Sequence, residues 1–443
     1  MTVSACLWLG AFPLLQFGTY SHITADKWTI MLILTGFTVL CAVTDLILAL
    51  VRDGRAVWRR LFAGRIVPLI IAFSFLLLIV LSCIFSRYGS SVWIGASYRR
   101  EGLISQLCYL GLFFMFAFSR VRRIPVVFSA AAGVIVFCAV VVLQRNGVNV
   151  FGLYPSGRSY ATTPEFQGTI GNIDMDTGYL VLVSGLLLTE FIKACAPGGI
   201  RKVLRIFLLV VLPAALACAV WLVITMDVQF GVIALSALAV FTGLRLIPRK
   251  LRLLRIPIVI LLVVVVLVVV WVWPGQGGGI WELHEILHGR TQLSFGSNRI
   301  AVWLFSVRLA FRSPADALLG GGSDTFEPRF NRFISENGLT IPKYQGNLML
   351  PDYFDNPHNE YIAHLVNHGL PAALLFAALI IFLLVRRRRD PAALQAPNYI
   401  HALSPWKAAV LCYAVQAIFS FSVPLVAPMF WVVLGLAAAD EKS

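Results

Sequence analysis

Charge is what this sequence has least of. Only 13% of its 443 residues are Asp, Glu, Lys or Arg, and only 21 are acidic, while 59% are hydrophobic. That balance excludes a chain of two or three soluble domains and describes a polytopic membrane protein. Cysteine pairing is missing too. The eight cysteines include no CxxC pair, and Cys41, Cys83, Cys138, Cys218 and Cys412 lie in apolar runs. They read as small packing residues, with no disulfide framework. A basic n-region is absent ahead of the first apolar stretch, so that stretch is expected to be a span and not a cleaved leader. Long polar stretches are scarce, and only one, within residues 274–360, is of any length.

What is present is a series of apolar stretches, each near the roughly 20 residues a bilayer requires. They fall at 4–20, 28–50, 66–85, 102–119, 124–143, 174–192, 206–225, 230–247, 256–273, 361–385, 406–423 and 425–439. The expectation is an all-α polytopic protein of about twelve transmembrane helices, forming one integral membrane domain over 1–443. The net charge of +15 is distributed as a membrane protein would have it, so no nucleic-acid partner is expected. Of 36 Lys and Arg, 23 lie in 52–65, 120–123, 193–205, 245–255, 386–407 and at Lys442, all alternate connections or termini. The positive-inside rule places these in the cytoplasm and puts residues 274–360 outside as one long loop. Seven basic residues in that loop run against the bias and call for a function.

The polar segment at 351–369 carries the densest chemistry. Asn356 followed by Pro357 reads as a helix N-cap and first helical residue, which would set His358 in the first turn. There the free N–H groups and the dipole would favour a neutral imidazole beside an anion. Asp352, Asp355, Asn359 and Glu360 flank it. Glu360, His364, Asn367 and His368 share one stripe of the following helix, and a hydrogen-bonded structural role is expected for the two histidines. Outer arginines, among them Arg99, Arg100, Arg158, Arg290, Arg299, Arg329 and Arg332, would suit a diphosphate, because guanidinium binds oxyanions with two parallel hydrogen bonds. The Gly320–Ser323 turn would add backbone N–H groups. Residues 298–312 place Ile300, Trp303, Leu304, Val307 and Phe311 on one face of an amphipathic helix, with Arg308 and Arg312 facing lipid headgroups. His284-Glu285-Ile286-Leu287-His288 matches the HExxH pattern of zinc peptidases, although no extended peptidase signature follows it.

Several motifs together carry a family resemblance. Asn356-Pro357-His358-Asn359-Glu360-Tyr361 with Asn367-His368-Gly369-Leu370 resembles the histidine signature of the O-antigen ligase/O-antigen polymerase superfamily of membrane glycosyltransferases. Gly296-Ser297-Asn298-Arg299 to Trp303, Ser313-Pro314 and Gly320 to Phe326 are similar to that family's R…W…P…G-G…F block. Gly168-Thr169-Ile170-Gly171-Asn172 resembles its GT-x-GN motif. Trp93-Ile94-Gly95 with Arg100-Glu101-Gly102 resembles a further element of some branches. Val415-Gln416-Ala417 and Pro428-Met429-Phe430-Trp431 in the last spans also fit.

The resemblance implies a GT-C-like helical fold in the cytoplasmic (inner) membrane. It further implies transfer of a polyprenyl-diphosphate-linked glycan at the outer face to an acceptor glycan, lipid or protein. His358 would be the catalytic histidine and Arg299 the arginine that steadies the leaving diphosphate. Arg290, Arg158, Arg99, Arg100, Asn359, Glu360, Asp355 and Asn172 are the expected substrate-binding residues. With arginines supplying positive charge, no metal and no cofactor are expected. One departure stands out: where many ligases carry Ser-Arg-Gly, this chain reads Asp227-Val228-Gln229-Phe230-Gly231. Arg158, Arg99 or Arg100 would have to supply the missing charge. Two other readings remain. A transporter or flippase of lipid-linked sugars predicts charge near the bilayer midplane and inverted repeats, and neither is apparent. A zinc peptidase rests on the five-residue pattern alone.

Overall fold

The structure is a computed structural model that describes residues 1–54, 56–57, 62, 64–196, 202–341, 344–345, 348–349, 354–386 and 404–439. Asp352 and most of the basic connection 386–407 fall outside the described residues. The helices are α1 (Thr2–Cys6, continued by a π turn, Leu7–Ala11), α2 (Ile23–Asp53), α3 (Ile66–Ile84), α4 (Leu103–Ala117), α5 (Arg123–Arg145), α6 (Ile173–Cys195), α7 (Lys202–Thr225) and α8 (Gln229–Leu246). They continue as α9 (Arg255–Trp271), α10 (Gly278–Leu287), α11 (Arg299–Ala310), α12 (Pro314–Leu319), α13 (Phe326–Glu336), α14 (Glu360–Val385), α15 (Pro405–Gln416) and α16 (Ala427–Ala439). Tyr344–Gln345 and Leu348–Met349 form a small antiparallel pair, with Tyr344 opposite Met349.

Each expected span coincides with a helix, but their lengths differ. Seven helices among the described residues are long and apolar enough to cross a membrane: α2, α3, α5, α6, α7, α8 and α14. α1, α4, α9 and α16 are shorter apolar helices. Two expected spans stop early, the first of them just before a proline, which cannot continue a helical ladder. The first breaks at Phe12-Pro13, where Lys27 donates its ammonium to both carbonyl oxygens at 2.8 and 2.9 Å. The eleventh ends at Gln416, ahead of Pro424, and the freed Ala417 carbonyl accepts from the Glu360 amide at 2.9 Å.

The core forms where helices are apolar all round. α6 and α16 are buried along most of their length, with α6 packed against α15 and α7, and α16 against α4. The approach of α6 to α15 requires glycine: a Cβ on Gly185 would lie 2.5 Å from the Ala409 amide nitrogen. α9, by contrast, buries only Val270 among the described residues, and its main contacts are with the turn before it and α10. Along most of its length it presents valine, leucine and isoleucine outward.

α14 is broken inside its apolar run. Gly369 has φ 84° and ψ 169°, and Pro371 follows two residues later. Exposed carbonyls are costly in an apolar medium, and here those of Asn367 and Val366 have partners. The Asn367 oxygen accepts from the Gly321 and Gly322 amides at 3.1 and 2.8 Å and from the Ser82 hydroxyl at 2.8 Å. The Val366 oxygen accepts from the Arg329 guanidinium, which also pairs with Asp316 at 2.6 Å. The break therefore locks α12, α13 and the glycine turn onto α14.

The connections segregate between the two ends of the bundle. Residues 20–25, 97–100, 171–175, Asp355 and 421–425 surround a cavity of about 580 Å³ at one end. A second cavity of about 570 Å³ brings together Arg52, Arg65 and Arg120, from two of the connections read as cytoplasmic, with Asp45 of α2.

Candidate active site

The histidine segment is set by two asparagines. Asn356 accepts the His358 amide at 2.8 Å through its side-chain oxygen, closing a turn that throws His358 into the left-handed region with φ 47°. Asn359 then caps α14, its oxygen accepting the Ile362 amide at 3.0 Å. The expected cap at Asn356 is thus corrected. Its side chain is spent on the turn, the helix starts at Glu360, and His358 precedes the cap. The imidazole packs edge-on against Phe421, with ring centroids 5.1 Å apart. Burial, then the positive charge of Arg299, pushes it down to about 4, against opposing pulls from Asp355 and from the contact with Asn356. Neutrality at physiological pH therefore comes from desolvation and a neighbouring cation, not from a helix dipole.

Arg299 opens α11, and Trp303 follows one turn later on the same face. The Trp303 indole nitrogen donates to the Pro357 carbonyl oxygen at 2.8 Å. α11 buries Ala301, Val302, Phe305 and Leu309 in a second, smaller core with Phe326, Phe330, Phe333 and Val366. The sequence left open whether the apolar face would lie at the membrane interface or pack on the bundle. Leu304, Val307 and Phe311 are exposed, because the face with small Ala301 and Ala310 is the one that fits against the core. Arg299 donates to the Gly296 oxygen at 3.0 Å, and its guanidinium carbon lies 5.9 Å from the centre of the Phe230 ring. Burial lowers its proton affinity, while Asp174 and Glu282 raise it. The segment that departs from the ligase pattern thus presents a phenyl ring to Arg299.

Arg99 ties three segments together. Its Nε donates to Asp324 at 2.7 Å, and its two Nη atoms lie 3.6 Å from Glu327 and Asp355. Asp324 also accepts the Ala96 amide at 2.7 Å. The sequence pointed to the Gly320–Ser323 turn and did not single out Asp324 beside it. It is buried, and its neighbourhood leaves no room for a side chain at residue 95, where a Cβ would lie 2.3 Å from the Asp324 carboxylate. Glu101 is buried beside this knot, where it accepts from Tyr109 and from Gln106. Burial drives its carboxyl well above the usual range.

The 580 Å³ cavity brings together Arg99, Arg100, Asn172 and Asp355, with Tyr20 and Phe421 among its walls. Asn172 caps α6 by accepting the Asp174 amide at 2.9 Å. Arg100 stacks its guanidinium 5.3 Å from the Trp28 ring centre. Phe421 is the shared boundary, since it lines the cavity and packs against His358.

Other expected site residues lie elsewhere. Arg290 is exposed and forms two 2.6 Å hydrogen bonds to Glu285. Arg158 is exposed beside a smaller cleft of about 70 Å³ that shares Tyr20, Ser21 and Phe166 with the 580 Å³ cavity. Arg332 pairs with Glu336 at 2.6 Å, and Arg329 holds the α14 break. The anion nest expected at Gly320–Ser323 is corrected, because the Gly321 and Gly322 amides are committed to Asn367. Glu360 is buried, hydrogen-bonded by Ser422 and Tyr413, and lines a small cavity of about 40 Å³ with Arg99, Asp355 and Phe421. His364 and His368 form an internal chain, Nδ1 to Nδ1 at 3.2 Å, then His368 Nε2 to the Ser323 hydroxyl at 3.0 Å. In the HExxH string, Nδ1 of His284 contacts the Val270 oxygen at 3.0 Å and Nδ1 of His288 contacts the His284 oxygen at 2.8 Å. Among the described residues, no group of three or more His, Cys, Asp or Glu is placed to hold a metal ion.

Comparison with known families gives one match: residues 213–377 fit the family model described as O-antigen ligase. The matched stretch contains Phe230, Arg299, Trp303, Asp324, Asp355 and His358. No curated protein matches the chain.

Proposed function

We propose, from the O-antigen ligase domain that this chain carries over residues 213–377, that the protein is a membrane glycosyltransferase. It moves a glycan from a polyprenyl diphosphate to an acceptor hydroxyl at the outer face of the cytoplasmic membrane. The observation that carries this reading is the pairing of His358 with α11, in which Trp303 holds the Pro357 carbonyl and Arg299 acts on the imidazole.

The reaction asks two things of the protein. The acceptor oxygen attacks the anomeric carbon, and the bond from that carbon to the diphosphate breaks. The hydroxyl proton passes to Nδ1 or Nε2 of His358, and the departing diphosphate takes the bonding electrons. Arg299 stabilises the charge that grows on the leaving oxygen, within an environment that strengthens electrostatics. An imidazole near 4 is a weak base. A diphosphate beside Arg299 would cancel part of the charge that depresses it, so donor binding brings His358 closer to a useful range. Asp355, attracted by Arg99 and itself pulling the imidazole up, orients the base. No metal enters this scheme, since the arginine supplies the positive charge.

The twelve-span arrangement with the 274–360 loop outside belongs to the same proposal. Reporter fusions should place Asn337 outside and Arg386 inside. The deciding test is reconstitution with a lipid-diphosphate glycan donor, following free polyprenyl diphosphate and the mass of the product. Absence of diphosphate release with any acceptor would refute the transferase reading.

A further inference from the structure

A cavity of about 540 Å³ lies between the end of α3, the end of α11, α12 and α13, and neither His358 nor Arg299 lines it. Arg87, Arg312, Arg329 and Arg332 line it against one lining carboxylate, Asp316. Glu336 stands just outside the lining and pairs with Arg332 at 2.6 Å. With both carboxylates counted, the four guanidinium groups still leave an excess of two positive charges.

Much of that charge lacks a close partner. Asp316 is taken up by Arg329 at 2.6 Å and by the Ser313 hydroxyl at 2.7 Å. Arg312 only approaches Asp316 and Glu336, at 3.6 and 3.8 Å, beyond hydrogen-bond reach. Arg332 reaches Glu336 through Nε. Arg87 is exposed and has no ion-pair partner among the described residues. Guanidinium groups so placed suit a phosphate, whose oxygens accept paired hydrogen bonds.

The position of the cavity points to the source of that phosphate. α3 begins after Arg65, which lines the 570 Å³ cavity, and ends at Ile84, just before the lining residues Phe85 and Ser86. Its 19 residues at a helical rise separate the two cavities by about 28 Å, close to the thickness of a bilayer's hydrocarbon core. An α3 that spans the bilayer therefore sets the arginine cavity at headgroup depth on the face opposite the 570 Å³ cavity. Apolar side chains border it there. Phe85 is 66% exposed, and exposed Phe311 and Leu318 adjoin the lining residues Arg312 and Leu319. Basic groups beside exposed apolar surface fit a lipid better than a soluble anion.

We propose that this cavity binds the phosphate headgroup of an anionic membrane lipid, with the acyl chains along the outward residues of α11 and α12. The proposal does not depend on the transferase reading. A phosphate bound here braces α11, which begins with Arg299, against α3 and α13. The sequence grouped Arg308 with Arg312 as lipid-facing, whereas only Arg312 lines the cavity.

The test counts lipid adducts on the purified full-length protein in detergent by native mass spectrometry. Phosphatidylglycerol should give one saturable adduct, at least about tenfold tighter than zwitterionic phosphatidylcholine. Arg87→Gln combined with Arg312→Gln should weaken that adduct by at least about tenfold with unchanged thermal unfolding, and Arg332→Gln alone should act in the same direction. Arg308 is exposed outside the cavity, so Arg308→Gln should bind as the wild type does. Equal binding of the two lipids, an adduct that survives the arginine substitutions, or the same loss in Arg308→Gln would overturn the proposal. Displacement of the lipid by millimolar inorganic phosphate would overturn the lipid as the source of the phosphate.

Discussion

The Trp303 indole nitrogen donates to the Pro357 carbonyl oxygen at 2.8 Å. This single bond fastens the helix that begins with Arg299 to the residue just before His358. It joins two segments more than 50 positions apart in sequence, so one geometry serves both the cation and the base. Trp303→Phe keeps the ring against Phe419 and removes only the donor. An unpaired buried carbonyl costs about 1–3 kcal/mol. Transfer should therefore fall about tenfold or more, since 1.4 kcal/mol corresponds to one decade. Donor affinity should stay near wild type. Steady-state rates with parallel donor-binding isotherms check this, and a drop in affinity alone would point to a different role for the indole.

The electrostatics of His358 give a pH prediction with a defined sign. Burial and Arg299 hold the imidazole at about 4, so it is neutral above that value and protonated below it. In the free enzyme, base function is kept as pH falls and is lost only on approaching 4. Arg299→Gln removes one depressing cause, so the imidazole moves up and its protonation begins at higher pH. Asp355→Asn removes an opposing cause and moves it down. Histidine NMR titration of the free protein reads both shifts directly. A titration unchanged in Arg299→Gln would contradict the proximity assigned here.

Much of this arrangement was legible in the sequence, and the misses have physical causes. Each of the twelve apolar runs coincides with a helix, because hydrophobic length is a local property. Only seven of those helices among the described residues are long and apolar enough to cross a membrane. Helix ends at Pro13 and before Pro424 were less visible, since the chain there depends on Lys27 and Glu360 from elsewhere. His358 and Arg299 were singled out, and the structure brings them together. Which face of α11 packs inward was not legible, because its pattern has large apolar residues on the outward side and only the neighbouring helices decide between faces. Asp324 was hidden within a glycine-rich turn, a composition that signals flexibility unless a partner such as Arg99 is known. The glycine amides could not be assigned from sequence either, because their acceptor appears only once α14 breaks.

That break supplies a stability prediction. The backbone at Gly369, with φ 84° and ψ 169°, is essentially reserved for glycine, and other residues pay about 1–3 kcal/mol there. A Cβ would also lie 2.4 Å from the Leu318 carbonyl oxygen. Gly369→Ala should lower the thermal unfolding midpoint in detergent and reduce membrane yield. Arg329→Met, which leaves the Val366 carbonyl without its donor, should act in the same direction. Wild-type unfolding in both variants would mean that the interruption is not fixed by these contacts.

The HExxH string gives a contrasting expectation. Glu285 is held by Arg290 through two 2.6 Å hydrogen bonds. Its carboxyl lies below the usual range, first because of that hydrogen bonding. Glu285→Gln should leave transfer within about twofold, the small effect typical of surface changes. Chelators should have no effect, and metal analysis of the purified protein should find no stoichiometric zinc. Loss of activity with both the chelator and the substitution would bring a metal-dependent reaction forward.

The central claim is a division of labour, with His358 acting on the acceptor and Arg299 on the donor diphosphate. Donor binding and product formation should be measured side by side for His358→Ala and Arg299→Ala in the reconstituted protein. His358→Ala should bind the lipid diphosphate as the wild type does and lose transfer by about 10²–10⁴-fold, the range for a general base. Arg299→Ala should lose donor affinity together with turnover, and Arg299→Lys should recover only part because an ammonium lacks the guanidinium fork. Wild-type transfer by His358→Ala would contradict the account.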